Sequence, residues 1–427
     1  MEIYKKTYSN GMRLVAVHTD TAFAEYAVFF LAGQQYQKDK DSGVAHFLEH
    51  LLCGSTKNKT KKEIVEIEKS KGASTNAFTD YNELGFTGTC FSCDLHEMLD
   101  LQFERIFEPK LANDEFESER KIILEELFMR QSRMKTPDYK HWLGIKKLLF
   151  PGAPIDEIVG TKTKLENLTI EDLVAHKQRL LTPNNMTICV VGGVDIGALD
   201  AYLSKKFDQT KNTPVEFAHK KRKVLPARKT LVTKSNENSI GIYFHIPTDR
   251  KKPAECAKAY IFSKMLRSLL FDKVREESNL VYHIGTSIES HMDTFYLKIN
   301  FFSTTPKKVF DVICKQLDEI SKNGVEQKYL VFGNAKTRKE HATFLESKKP
   351  FSEMRIINGE ILKISYPIDE TEKFFQSALE TTNDHMKQMA KLLLDSKRIV
   401  VATKSKTIQK SELEQFFDCL DETKRQN

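Results

Sequence analysis

The chain contains no apolar run approaching the roughly 18 uninterrupted residues that a spanning helix requires; its most apolar early stretch, 22–32, is broken by Glu25. No membrane span is expected. Cysteine is scarce, seven in 427 residues and mostly isolated (Cys53, Cys189, Cys256, Cys314, Cys419), which excludes a disulfide framework and suits a reducing compartment. The opening MEIYKKTYSNGMRLVAV lacks an apolar signal core with a small-residue cleavage site, and it is not the acid-free, Arg-rich stretch of a transit peptide. A cytoplasmic location is the expectation. Glycine (18) and proline (12) are too few for a collagen-like or low-complexity chain. Nor does one charge dominate: 66 Lys and Arg stand against 59 Asp and Glu, net +7, too mild and too interleaved to argue for nucleic acid. What is present is an ordinary folded composition, 40% hydrophobic, with length for two to four domains at roughly 150 residues each.

Strand and helix signals alternate along the chain. Asn10-Gly11, between runs 2–8 and 12–18, predicts a hairpin. Ala24–Leu31 reads as a buried strand and Gly43–Cys53 as a short helix closed by Gly54. Thr60 with Glu63 is a capping-box pattern opening a helix that stops at Gly72. The segment 74–79 and the run Leu84–Phe91 read as an antiparallel pair, Asp94 with Glu97 repeats the capping pattern, and a long helix runs from about Asp114 to Met134. The first half closes with a helix opening at Thr169 with Asp172, then Pro183 and the strand Met186–Gly192; the second closes with Thr382 and Asp384, a helix through Leu394 and the strand Arg398–Thr403. A displacement of about 212 residues between these endings predicts a duplicated unit. The boundaries are placed at 1–204 and 231–427, joined by a basic linker, 205–230. Its His219–Lys223 run has no interleaved aromatics and reads as a solvated linker.

The chemistry concentrates in His46-Phe47-Leu48-Glu49-His50. On a helix, residues four apart project from one face, so His46 and His50 can converge on a single ion, and Glu49 beside them can reach a water on that ion as a general base. Chance supplies only about 0.05 such patterns in a chain with 12 His and 59 acids. Catalytic zinc takes a third protein ligand and leaves a fourth position open. In ESERKIILEELFM, Glu119 and Glu126 share a face with Ile122 and Ile123, and acids on an apolar stripe are costly to bury unless paired or metal-bound. Seven residues rise about 10.5 Å, so one of the two is a ligand and the other a helper. Glu117 with Lys121, continued by Glu125, reads as a solvated pair on the other side. Cys90 and Cys93 form a lone C-x-x-C and read as packing or turn cysteines. His18, His96, His141, His176 and His283 are scattered and read as structural.

With this motif the sequence resembles the pitrilysin family, inverzincins whose H-x-x-E-H reverses the commoner H-E-x-x-H. Within it, the chain looks most like the short members: bacterial processing proteases, the mitochondrial processing peptidase and the core proteins of the respiratory cytochrome complex. The resemblance implies an α+β fold, two homologous domains each with a mostly antiparallel sheet flanked by helices, as in the LuxS and processing-peptidase-like metallohydrolases. It implies one zinc ion per chain held by His46, His50 and Glu126, because the family places its third ligand about 76 positions after the last motif His. Glu119, seven residues earlier, is then the acid that assists without binding metal. Ser74, Thr75, Asn76, Ala77 and Phe78 match the family's edge strand, to which an extended peptide adds as a further strand. In LLFDKVREESNLVYHI, Arg275 and Tyr282 match an Arg/Tyr pair that contacts substrate in active relatives, where Tyr282 would donate to the carbonyl oxygen.

Two departures stand out. Many relatives show Thr and then Tyr where this chain has Leu84 and Phe86, and Ala259–Leu269 carries no second His pair. The expected function is a zinc-dependent endopeptidase hydrolysing extended peptides inside a closed chamber, with Glu49 as base. In the family the chamber needs four such domains, so the resemblance implies a dimer of identical chains. The alternatives are a non-catalytic scaffold like the respiratory core subunits, or the catalytic half of an obligate heterodimer.

Overall fold

The computed structural model describes residues 3–38, 42–151, 158–211, 215, 227–248, 252–291, 294–346 and 368–425. Much of the expected linker, including the His219–Lys223 run, lies outside the described residues. The chain divides into two compact units.

The first unit contains β1 (Ile3–Thr7), β2 (Arg13–His18), β3 (Phe23–Phe30), α1 (Val44–Leu52), α2 (Lys61–Ser70), β4 (Ser74–Thr79), β5 (Leu84–Phe91), α3 (Leu95–Phe107) and α4 (Asn113–Met134). The chain leaves it for α5 (Pro137–Leu149) and returns through α6 (Lys162–Asn167), α7 (Ile170–Leu180), β6 (Met186–Gly192) and α8 (Ile196–Phe207). The expected hairpin forms: β1 and β2 pair antiparallel, and Gly11 takes the left-handed φ of 86° that the turn demands. The sheet runs β1-β2-β6-β3-β5-β4, antiparallel except for β2 with β6. Its inner face contributes Leu14, Ala16, Tyr26, Val28, Phe30 and Phe86, all buried, against Phe47, Leu48, Leu51, Leu99 and Ile123 of the covering helices. At about 1.5–3 kcal/mol for each fully buried large apolar side chain, this layer is the main stabilising term.

The second unit contains β7 (Ala227–Thr233), β8 (Ser239–Ile246), α9 (Pro253–Leu270), β9 (Ile284–His291), β10 (Thr294–Phe302), α10 (Pro306–Asn323), α11 (Gln327–Glu346), helices at Ile368–Leu379 and Asn383–Leu394, β11 (Arg398–Lys404) and a helix at Lys410–Arg425. Its sheet runs β7-β11-β8-β10-β9, again with one parallel pair, β7 with β11. The core sets Ile242, Phe244, Leu297 and Ile299 of the sheet against Phe262, Leu266, Phe310 and Phe416 of the helices.

Three local findings differ from the sequence reading. Residues 133–153 belong to the second unit, although they precede the boundary placed near 204. The cause is specific bonding of α5: Tyr296 Oη donates to Leu149 O at 2.7 Å, Arg398 donates to Leu148 O at 2.5 Å, and Lys404 Nζ meets Asp138 Oδ1 at 2.8 Å. Asp94 does not cap α3 with its side chain. It and Glu97 share the Lys71 ammonium instead, at 2.9 and 2.8 Å, a charge-assisted bond that outcompetes a neutral backbone N–H. Glu117 pairs with Arg120, at 3.2 Å, rather than with Lys121. The capping boxes at Thr60–Glu63 and Thr169–Asp172 both form. Among the described residues, no helix is long and apolar enough to cross a membrane.

Candidate metal centre

The short helix α1 carries two faces. Val44, Phe47, Leu48 and Leu51 recur at helical spacing and are buried in the core, which turns His46, Glu49 and His50 along the flank towards α4. Gly43 starts the helix with φ 95°, and a Cβ there would meet Val159 O at 2.7 Å, so the chain enters α1 by a turn only glycine allows. The register between α1 and α4 is set by Phe47 stacked on Phe116, ring centroids 4.7 Å apart and 5° from parallel. Arg120 lies over the Phe116 ring at 4.6 Å and donates to the carbonyls of Leu165 and Leu168, which fixes α4 a second time. On α4, Phe116, Ile123 and Leu127 are buried, and Glu119 sits on the same stripe. Ile122, expected on that face, is exposed.

Three turns from Phe116, Glu126 arrives at the imidazoles. Its Oε2 is 3.6 Å from His46 Nε2 and 3.7 Å from His50 Nε2, and one ligand atom from each of the three residues lies within 4.8 Å of the others. Ligands 2.0–2.1 Å from a tetrahedral ion stand about 3.4 Å apart, so this donor set fits a zinc ion with small adjustments. Glu119 does not join it. Its Oε2 is 3.2 Å from His50 Nδ1, on the far side of that ring, and its Oε1 is 3.0 Å from Lys61 Nζ. The sequence had left ligand and helper open on geometry alone; the structure turns Glu126 to both Nε2 atoms and Glu119 to the outer nitrogen of one ring. His46 Nδ1, by contrast, is buried without a protein hydrogen-bond partner.

The electrostatics favour a cation. Burial and then the neighbouring His50 hold His46 down to about 4, so this imidazole is neutral and can ligate. Burial also opposes charge on His50, but the hydrogen bonds its ring donates to Glu119 and Glu126 outweigh it and raise the ring to about 9. Both carboxylates are correspondingly held below the ordinary range, chiefly by their bonds to His50. Positive charge at this spot is thus stabilised by two ionised acids even where a proton is the only cation to supply it. Glu49 is different: burial pushes its carboxyl up, and a hydrogen bond from Thr79 Oγ1 to Oε2, 2.6 Å, pulls it back only in part. A carboxylate lifted towards neutrality beside a cation site has the properties of a general base.

Thr79 ends β4, the edge strand of the first sheet, and so ties that edge to Glu49. Of the expected peptide-contacting residues on it, Ser74 and Asn76 are exposed, while Thr75, Ala77 and Phe78 are half-buried. Thr75 Oγ1 donates to Glu68 Oε1 at 2.7 Å, and Arg105 holds the same oxygen at 2.6 Å, anchoring the strand from behind. Arg275 and Tyr282 lie in the second unit. There Arg275 sits on a π-helical turn, Phe271–Glu276, with its guanidinium 4.7 Å from the Phe271 ring and 5.2 Å from the Tyr282 ring; Tyr282 is exposed. The sequence reading missed Lys61 and the Thr79 bond. Neither leaves a local signal, because Lys61 meets Glu119 across 58 positions and Thr79 meets Glu49 across 30.

The chain is 24% identical, over 350 residues and 76% of both lengths, to an uncharacterised zinc protease of Mycobacterium tuberculosis (strain H37Rv). It is 26% identical over 209 residues to the mitochondrial-processing peptidase subunit beta of Caenorhabditis elegans, covering 48% of this chain and 44% of that one. Among solved structures, the periplasmic protease PqqL from Escherichia coli superposes with a TM-score of 0.85 at 16% identity, covering 99% of this chain and 50% of PqqL, so the chain spans half of that protein's length. Residues 167–331 match the family described as Peptidase M16 inactive domain, and 13–141, which include the candidate ligands His46, His50 and Glu126, match Insulinase (Peptidase family M16). On both matches and on the fold, the chain belongs to peptidase family M16, the pitrilysin-like metallopeptidases.

Proposed function

We propose that the chain is a zinc-dependent endopeptidase acting on extended peptides, with the first unit as its catalytic part. The observation that carries the reading is the meeting of His46, His50 and Glu126, from two helices far apart in sequence, with their ligand atoms within 4.8 Å and Glu49 alongside. A bound zinc ion would acidify a water molecule and polarise the scissile carbonyl. Glu49 takes the proton of the attacking water and delivers it to the leaving amine, held for that task by Thr79. Glu119 fixes the His50 ring in the tautomer that presents Nε2. The exposed edge of β4 offers main-chain partners to a peptide of any sequence, and Thr79 carries that edge to the base. A second copy of the chain would supply the further domains of a closed chamber.

The alternative of an inert scaffold is disfavoured by the intact donor set and base. The test is metal analysis paired with chelator-sensitive cleavage of a mixed peptide library. Glu49→Gln should keep its zinc and lose at least about 100-fold in turnover, the range of general-base contributions. Zinc and cleavage both unchanged in that variant remove Glu49 from the mechanism. Zinc without any peptide cleavage by the wild-type chain favours the scaffold.

A further inference from the structure

Glu119 is held from both ends. One oxygen meets His50 Nδ1 at 3.2 Å and the other meets Lys61 Nζ at 3.0 Å, so an ammonium, a carboxylate and an imidazole form a continuous chain ending at Nε2. Lys61 is itself pinned. It is the first residue of α2, behind the Thr60–Glu63 capping box, and its backbone N–H donates to Ser55 Oγ at 3.0 Å. Ser55 N–H in turn reaches Glu115 Oε2 on α4 at 3.3 Å. The loop leaving α1 and the start of α2 are therefore fastened to the helix that bears Glu119, and the Lys61 ammonium is aimed at the oxygen that His50 does not use.

We propose that Lys61 is a positioning residue of the metal centre: it holds the Glu119 carboxylate in the rotamer that orients the His50 ring, and so sets the affinity of the site for its ion. The proposal rests on the assignment of His46, His50 and Glu126 as ligands. An ordinary surface ion pair would contribute little to stability and nothing to metal binding, and Lys61, with its side chain 55% exposed, invites that reading. The two differ in what they couple to. Outer partners of ligating histidines typically alter metal affinity about 10–100-fold, and a residue one bond further out should have a smaller share of that effect.

The experiment is zinc titration of the full chain at neutral pH against a chromogenic chelator, for wild type, Lys61→Met, Lys61→Arg, Glu119→Gln, the Lys61→Met/Glu119→Gln double variant and a His50→Ala control. The expected result is a loss of about 5–10-fold in zinc affinity for Lys61→Met, with Arg restoring it to within about twofold because a guanidinium keeps the charge-assisted bond. In the Glu119→Gln background the same Met substitution should change nothing further, since Lys61 acts only through that carboxylate. Wild-type affinity in Lys61→Met overturns the proposal, as does an undiminished Met effect in the double variant. Should Lys61→Met fold poorly, Lys61→Arg against Glu119→Gln still decides, because an Arg variant as weak as Glu119→Gln contradicts positioning by charge. A wild-type chain whose zinc uptake is indifferent to His50→Ala refutes the metal assignment itself, an outcome separate from a failure confined to Lys61.

Discussion

The two sheets are ordered alike, β2-β6-β3-β5-β4 in the first unit and β7-β11-β8-β10-β9 in the second, each with one parallel and three antiparallel pairs. The helix after the second of these strands in the chain and the long helix beyond the fourth meet in both. In the first unit, α1 and α4 face each other with two imidazoles and two carboxylates. In the second, α9 and α11 are bridged by Lys264 Nζ and Glu340 Oε1, 2.7 Å apart. The long helix thus presents an acid in each unit, and what differs is the cation: the second unit carries its own ammonium on α9, whereas the first presents histidines where an ion can be shared. The fold tolerates a polar bridge at this crossing, and the identity of a few flanking residues decides whether it is a strut or a reactive centre.

The largest expected effect breaks the comparison at the acid. Glu126→Gln should release zinc and abolish turnover, by about 1,000-fold or more, since it removes both a ligand and the charge that supports the others. Glu340→Gln should leave zinc content and turnover unchanged. Elemental analysis after dialysis and a peptide assay compare the two variants; equal loss in both would mean that the units are not divided between catalysis and support.

Acid sensitivity offers a second contrast. His176 on α7 is almost fully buried, its Nε2 on Ala32 O at 3.1 Å, and burial holds the ring down to about 4. Aligning the helix caps Thr169 and Thr382 puts Met389 at the matching place in the second unit. A neutral buried imidazole contributes stability that is complete above its unfolded value of 6.5 and is lost as pH falls from there through about 4, because the unfolded chain binds the proton more readily. His176→Met should therefore flatten the acid limb of the stability curve across that window, by up to about 3 kcal/mol at its lower end. Denaturant unfolding at a series of pH values reads it, and an unaltered slope would show that His176 titrates freely in the folded chain. The second unit is not free of such groups: His141 and His245 are also held at about 4 by burial, so the substitution should reduce the acid sensitivity without removing it.

The smallest effect concerns the strut. Lys264→Met leaves Glu340 half-buried without its cation and with Oε2 already lacking a partner, and should cost about 1–2 kcal/mol in unfolding free energy. Adding Glu340→Met should recover most of it, as apolar replacements of paired charges commonly do. A double variant no more stable than the single one would show that the pair is more than a strut.

Much of this was legible in the sequence because it is written in local spacing. The H-x-x-E-H pattern, the caps at Thr60 and Thr169, the Asn10-Gly11 turn and the strand Met186–Gly192 each depend on neighbours within a few residues, and each is found where expected. The choice between Glu119 and Glu126 was not legible from the helix alone. It depends on the register that Phe47 and Phe116 impose between α1 and α4, a contact across 69 positions. The passage of α5 into the second unit was hidden for the same reason, since Tyr296 and Arg398, which hold it, come some 150 to 250 positions later. Long-range bonds with no periodic signature, such as Lys61 with Glu119, are settled by packing and become visible only in three dimensions.

The central claim is that His46, His50 and Glu126 together hold one ion. X-ray absorption at the zinc edge of the metal-loaded chain tests it most directly. The expected spectrum has a first shell of nitrogen and oxygen at about 2.0–2.1 Å with the multiple-scattering signature of two imidazoles, and it loses that signature in His46→Ala. Sulfur scattering at about 2.3 Å, or a zinc signal that survives both His46→Ala and Glu126→Gln, would contradict it.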